Sequence, residues 1–142
     1  MNNKETKEMM KRLVSTLEYE EFYMTNREKF IDISLSEYLL NIMKEKNLTA
    51  AQIAKSTGTG DYLYKLISGK KKNPSRDVLI RLAFGMDMTL EEISNMMRIT
   101  HFHELDSRNK RDAAILFCLN KSYDLQRTNE MLYELQLQTL EK

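Results

Sequence analysis

Apolar residues recur at three- and four-residue spacings along most of this chain, a period that predicts short amphipathic helices. The segments run over roughly 4–23, 34–46, 50–57, 61–68, 76–85, 90–98, 108–120 and 125–139. Their starts are marked by Ser or Thr followed three residues later by Glu or Gln, a pairing that satisfies two orphan backbone donors reciprocally. Ser34 with Glu37, Thr49 with Gln52, and Thr89 with Glu92 have this form. Asn47, Gly58, Gly69, Gly85 and Asn120 each close an apolar-periodic run, and both residue types tolerate the left-handed backbone that ends helices. The first helix carries Met10, Leu13, Val14 and Leu17 on one stripe with charges opposite, so it requires a packing partner. "TNREKFIDIS" links it to five helices spanning 34–98.

The pattern also echoes itself. "RDVLIRLAFGMDMTLEEISNMM" from Arg76 and "RDAAILFCLNKSYDLQRTNEML" from Arg111 align without a gap at an offset of 35. The Arg-Asp pair coincides, as do Ile80 with Ile115, Leu90 with Leu125, and Met96 with Met131, and Gly85 falls on Asn120. The expectation is a helical hairpin built twice, with those two residues serving the same capping purpose.

Composition agrees with an all-α chain. Of 142 residues 42% are hydrophobic and 30% charged, with four Gly, one Pro and no Trp. Apolar runs are only a few residues long, and "MNNKETKEMMKRL" is charged where a secretory signal is apolar, so no membrane association is expected. Cys118 stands alone in "AAILFCLNK", which excludes an intrachain disulfide and fits a reducing cytoplasm. His101 and His103 with Glu104 lack the further ligands of a metal site and read as a solvated loop; no cofactor is expected. No phosphate-cradling glycine loop, nucleophile–base spacing or His-x-x-x-His face supports an enzyme.

Net charge is only +1, but its distribution is uneven. Residues 1–33 and 101–142 each carry six positive and seven negative side chains, whereas 62–82 carry Lys65, Lys70, Lys71, Lys72, Arg76 and Arg81 against Asp77 alone. A helix-turn-helix reader needs a first helix with a small residue at the crossing, a tight turn, and a second helix whose outer face enters the major groove. Ile53, Ala54 and Gly58 suit the first two requirements. Leu63 and Leu66 should then face inward, leaving Thr59, Gly60, Asp61, Tyr62 and Lys65 outward, with Asp61 as the helix N-cap.

"LTAAQIAKSTG…YLYKLISGKKKNPSRDVLIRLAFGMDMTLEEI" resembles the XRE family of lambda-repressor-like helix-turn-helix domains over residues 34–98. The resemblance implies a five-helix bundle, commonly dimeric and commonly a transcriptional regulator. It also implies that Gln52 anchors a phosphate and braces the reading helix, on which Tyr62 and Lys65 lie. Lys70, Lys71, Lys72 and Asn73 match the loop lying along the DNA backbone, and Ser75 matches the cap of the fourth helix. From Gly58 to Gly69 there are 11 steps where the family pattern has 12.

The chain is therefore expected to comprise an N-terminal amphipathic helix and linker (1–33), a DNA-binding domain (34–100) and a C-terminal helical hairpin for packing or dimerisation (101–142). Its expected function is sequence-specific regulation on double-stranded DNA as a homodimer. The alternative is an adaptor of the same fold that binds a protein partner, favoured by the near-neutral charge and the poor base-reading set.

Overall fold

A computed structural model describes residues 33–140 and, outside that span, Lys7. Among the described residues there are seven α-helices and no strand: α1 Leu35–Lys46, α2 Ala50–Thr57, α3 Asp61–Ile67, α4 Arg76–Gly85, α5 Leu90–Ile99, α6 Lys110–Asn120 and α7 Leu125–Glu134. The helix expected over 4–23 and the linker after it lie outside the described residues. Six of the seven helices begin on a side chain that accepts a backbone N–H: Ser34, Thr49, Ser75, Thr89, Asn109 and Asp124. Such caps satisfy donors that the helix itself leaves orphaned. At Thr49 and Thr89 the reciprocal bond from the N-cap amide to Gln52 and Glu92 is also made.

All seven helices feed one apolar cluster. Leu39, Ile53, Leu63, Leu79, Met96, Ile115 and Leu132, one from each helix in order, are fully buried within it. Burial of this kind contributes about 1.5–3 kcal/mol per side chain, before the entropy of ordering the chain is set against it. In this core α2 packs on α4, α3 on α1, and α4 on both α5 and α7. Tyr38 ties α1 to α5 by donating to the Glu92 carbonyl at 2.8 Å, and its burial pushes the phenol pKa well above the usual range.

Two of the expected helix stops have a different role. Asn47 (φ 58°) and Gly58 (φ 67°) do end α1 and α2 in the left-handed region, and Gly69 (φ 82°) follows α3. Gly85 and Asn120 are the last helical residues of α4 and α6 instead, and the left-handed residues come two positions later at Asp87 (φ 48°) and Ser122 (φ 58°). Gly85 is required for space. A Cβ there would stand 2.2 Å from Thr57 Cγ2 and 3.1 Å from Ser56 Oγ, so glycine lets α4 lie directly against the end of α2.

The internal echo extends far beyond the aligned identities. Arg76 grips Asp112 with two bonds (3.0 and 2.9 Å), and Arg111 grips Asp77 in the same manner (2.9 and 3.0 Å). The pairing is reciprocal, as across a two-fold axis. Arg76 also donates to the carbonyls of His103 and Glu104, and Arg111 to those of Gln138 and Thr139, again 35 residues on. Left-handed residues recur at the same offset: Asp87 with Ser122, and His101 with Gln136. Each is followed by an apolar residue whose N–H reaches back five positions, closing the helix end in the Schellman pattern.

This register corrects the C-terminal boundary. The last helix was expected to run to 139, but α7 stops at Glu134 because Gln136 turns left-handed (φ 59°) and Leu137 N–H returns to the Leu132 carbonyl. The chain then doubles back. Leu140 donates its N–H to Asn129 Oδ1 at 2.7 Å and buries its side chain in the core, which a continued helix would carry away.

Gly85→Ala is expected to lower the unfolding free energy by about 2 kcal/mol in urea titration, since Thr57 is too short and too well held to yield. Asp112→Ala should cost about 3 kcal/mol, because it strands the mostly buried Arg76 guanidinium. Asp77→Ala, in the more exposed pair, should cost less. Burial raises the Asp112 pKa, but the bonds from Arg76 and from the Asp106 N–H outweigh it and hold the carboxyl below the usual value. Its contribution is then complete above roughly pH 4 and is lost as pH falls through the depressed folded-state value, a slope that Asp112→Ala should remove from the acid limb of a stability–pH curve.

Candidate nucleic-acid interface

The segment joining α2 to α3 is Gly58-Thr59-Gly60, with both glycines at positive φ. Thr57 anchors its near end. The Thr57 hydroxyl donates to the Ile53 carbonyl (2.7 Å) and lies 2.8 Å from the Thr59 hydroxyl, while its carbonyl accepts from Arg81 Nε (3.1 Å) and Nη2 (2.5 Å). An arginine of α4 therefore fastens the turn, just where Gly85 brings the helices together. At the far end Gly60 (φ 53°, ψ −134°) is the N-cap of α3, without a side-chain bond to the helix. The expected cap, Asp61, is one position inside, an exposed first residue whose charge suits the positive helix end.

The seven residues of α3 divide cleanly. Leu63 and Leu66 are buried, as expected, while Asp61, Tyr64 and Lys65 are exposed. Tyr62, expected outward with Lys65, is half-buried and packs against the core; Thr59 is half-buried through its bond to Thr57. Tyr64, 46% exposed, takes the outward aromatic position. The helical period carries this distinction: Tyr64 and Lys65 fall three and four residues after Asp61, whereas Tyr62 adjoins Leu63 on the inward side. At the other end of α3, Ser36 of α1 donates to the Ile67 carbonyl at 2.5 Å.

Lys70, Lys71, Lys72 and Asn73 follow as four exposed residues, and Pro74 is then buried. Lys71 N–H bonds to the Lys65 carbonyl at 3.0 Å, which folds the lysine run back onto the end of α3. Ser75 is exposed and caps α4 through Val78 N–H at 3.2 Å. Gln52 is exposed on α2; its Oε1 accepts from Thr49 N–H, so its amide NH2 is the part left for an external acceptor.

The geometry sorts the basic residues of 62–82 into two kinds. Arg76 is neutralised by Asp112, and Asp77, the one acid of that span, is neutralised by Arg111. Lys65, Lys70, Lys71, Lys72 and Arg81 enter no ion pair among the described residues. The lysines are exposed around one end of α3, and Arg81 lies half-buried behind the turn. Gly58, Thr59, Tyr62, Ser75, Val78 and Arg81 enclose a cleft of about 320 Å³ where the turn meets the start of α4. Arg81, counted among the cations of 62–82 but not expected at the interface, lines this cleft, and Tyr64, not among the residues expected outward, is the exposed tyrosine of α3. His101 and His103, read as a solvated loop, are exposed: His101 is the left-handed residue after α5, and His103 lends its carbonyl to Arg76.

Gly60→Ala tests how the start of α3 is set. Nothing lies within 4 Å of a Cβ at this position, yet its backbone angles are ones that side chains strongly disfavour. The substitution should cost about 1–3 kcal/mol by thermal or urea unfolding. Comparison of the chain with protein-family models, with curated proteins and with solved structures returned no match.

Proposed function

We propose that residues 34–98 are a lambda-repressor-like helix-turn-helix domain of the XRE kind and that the protein is a sequence-specific, double-stranded DNA-binding regulator acting as a homodimer. The observation that carries this reading is the set of uncompensated cations around α3, with Lys65 on the helix and Lys70, Lys71 and Lys72 folded back onto its end. A surface of this kind attracts phosphates and gains affinity by releasing their counterions. On this reading Asp61, Tyr64 and Lys65 face the major groove, the lysine run and Asn73 follow the backbone, and the Gln52 amide and Ser75 meet phosphates beside them. A dimer would offer two copies of α3 to half-sites about one helical turn, roughly 34 Å, apart. Leu135 (51% exposed) and Tyr133 (77%) on the C-terminal hairpin give apolar surface for such a contact.

A second reading, an adaptor of the same fold bound to a protein partner, is favoured by the start of α3. Gly60 brings no side chain, Asp61 is repelled by phosphates, and α3 carries no arginine to fork onto guanine.

Fluorescence-anisotropy titration against random duplexes and the DNA flanking the coding region, at two salt concentrations, separates the two. Tight, strongly salt-dependent binding to one duplex is expected. Replacing Lys70, Lys71 and Lys72 together by Glu should then weaken binding to every duplex by a hundredfold or more and reduce the log–log salt slope by up to about 3 per half-site. Replacing Lys65 or Tyr64 by Ala should instead relax preference at particular base pairs, by about 1–3 kcal/mol each. Feeble binding, indifferent to sequence, would leave the adaptor reading standing.

A further inference from the structure

The cleft behind the α2–α3 turn has an unusual lining. Three of its six residues, Thr59, Tyr62 and Ser75, bring hydroxyls, one brings a guanidinium, and none brings a carboxylate. The other arginines of the unit that lie in comparable half-buried positions on α4 and α6, Arg76 and Arg111, each hold an aspartate by two bonds. Arg81 has the neutral Thr57 carbonyl instead, accepting from Nε and Nη2. That bond fixes the orientation of the guanidinium and leaves its charge uncompensated. Nη1 takes no part in it. Ser75 Oγ accepts from Val78 N–H, so its own proton remains to be donated. Partial burial makes an uncompensated cation more receptive to an anion than a solvated lysine is, because less water must be displaced and the field is less screened.

We propose that this cleft is a phosphate site in which Arg81, assisted by the Tyr62 and Ser75 hydroxyls, holds one phosphodiester of the DNA backbone. The proposal rests on the DNA-binding reading above and adds a contact from α4, behind the reading helix. Tyr62 becomes a backbone-positioning residue here, and base discrimination falls to the exposed face of α3. A phosphate held between the turn and the start of α4 would fix how α3 enters the groove. Arg81 would thus couple the Thr57 anchor of the turn to the register of the complex.

The test combines protein variants with single methylphosphonate substitutions in the duplex that the wild-type protein prefers, read by anisotropy across a salt series. In the wild type, neutralising one phosphate per half-site should weaken binding about tenfold. Arg81→Gln should weaken binding to unmodified DNA about tenfold, lower the salt slope by about 0.9 per half-site, and no longer respond to that methylphosphonate. Arg81→Lys should keep the slope, and Tyr62→Phe should weaken binding severalfold with the slope intact. Thermal melts of each variant, together with retained sensitivity to methylphosphonates placed against the lysine run, show that the fold and the rest of the interface survive. If the wild type binds DNA but Arg81→Gln keeps the same slope and the same methylphosphonate pattern, the cleft is not a phosphate site, while the DNA reading stands. If the wild type binds no duplex, the DNA reading fails and the phosphodiester assignment with it. Saturable inorganic phosphate binding abolished by Arg81→Gln in such a protein, read by chemical-shift changes at Thr59 and Tyr62, would identify a free phosphate as occupant in place of the backbone.

Discussion

The close approach of α2 and α4 at Thr57 and Gly85 is the contact from which the rest of the candidate interface takes its position. Where Gly85 leaves no Cβ, Thr57 fits against the α4 backbone, and its carbonyl comes within reach of Arg81 one turn earlier. The turn that follows then has a fixed origin. Its glycines determine the direction in which α3 leaves, Leu63 and Leu66 hold that helix to the core, and Ser36 secures its end. A chain of short-range constraints thus runs from a glycine in the fourth helix to the side chains proposed to enter a groove.

The same logic explains why near-neutral net charge is compatible with a cationic surface. What matters to a polyanion is the charge left after the fold has satisfied its own requirements. Arg76 and Asp77 are both consumed in bracing the C-terminal hairpin, and they remove one charge of each sign from the neighbourhood of α3. The four lysines remain in water at the end of a short helix, where the negative end of the helix dipole also favours them.

Helix positions were legible because their starts are encoded by single residues. Ser34, Thr49, Ser75 and Thr89 act locally, and local signals survive whatever the tertiary context. The ends were less legible where the left-handed residue is neither Gly nor Asn, as at Asp87, His101, Ser122 and Gln136. After Asp87, His101 and Gln136 the apolar residue that follows, Met88, Phe102 or Leu137, packs into or against the core, and after Ser122 the Tyr123 ring packs on Phe117, so the conformation answers to a neighbour and not to the residue's own type. Gly85 was misread for a complementary reason: a glycine needed for space and a glycine needed for φ look alike in sequence. In the candidate interface, the lysine run and the inward Leu63 and Leu66 were visible from pattern. The exchange of Tyr62 for Tyr64 depends on a turn whose course only the packing defines, and the role of Arg81 depends on a carbonyl 24 residues away.

The reciprocal Arg–Asp pairs also bear on how such a chain arises. A surface that places arginine beside aspartate about a two-fold axis is its own complement, since each residue finds in a second copy the partner it needs. Tandem duplication of one hairpin therefore supplies a matching mate in the same event, tethered by a connection of some ten residues and held at high effective concentration. No new interface has to evolve before the copy becomes useful. The two hairpins differ at most aligned positions, while the Arg-Asp dipeptide, the left-handed helix ends and the 35-residue register are common to both.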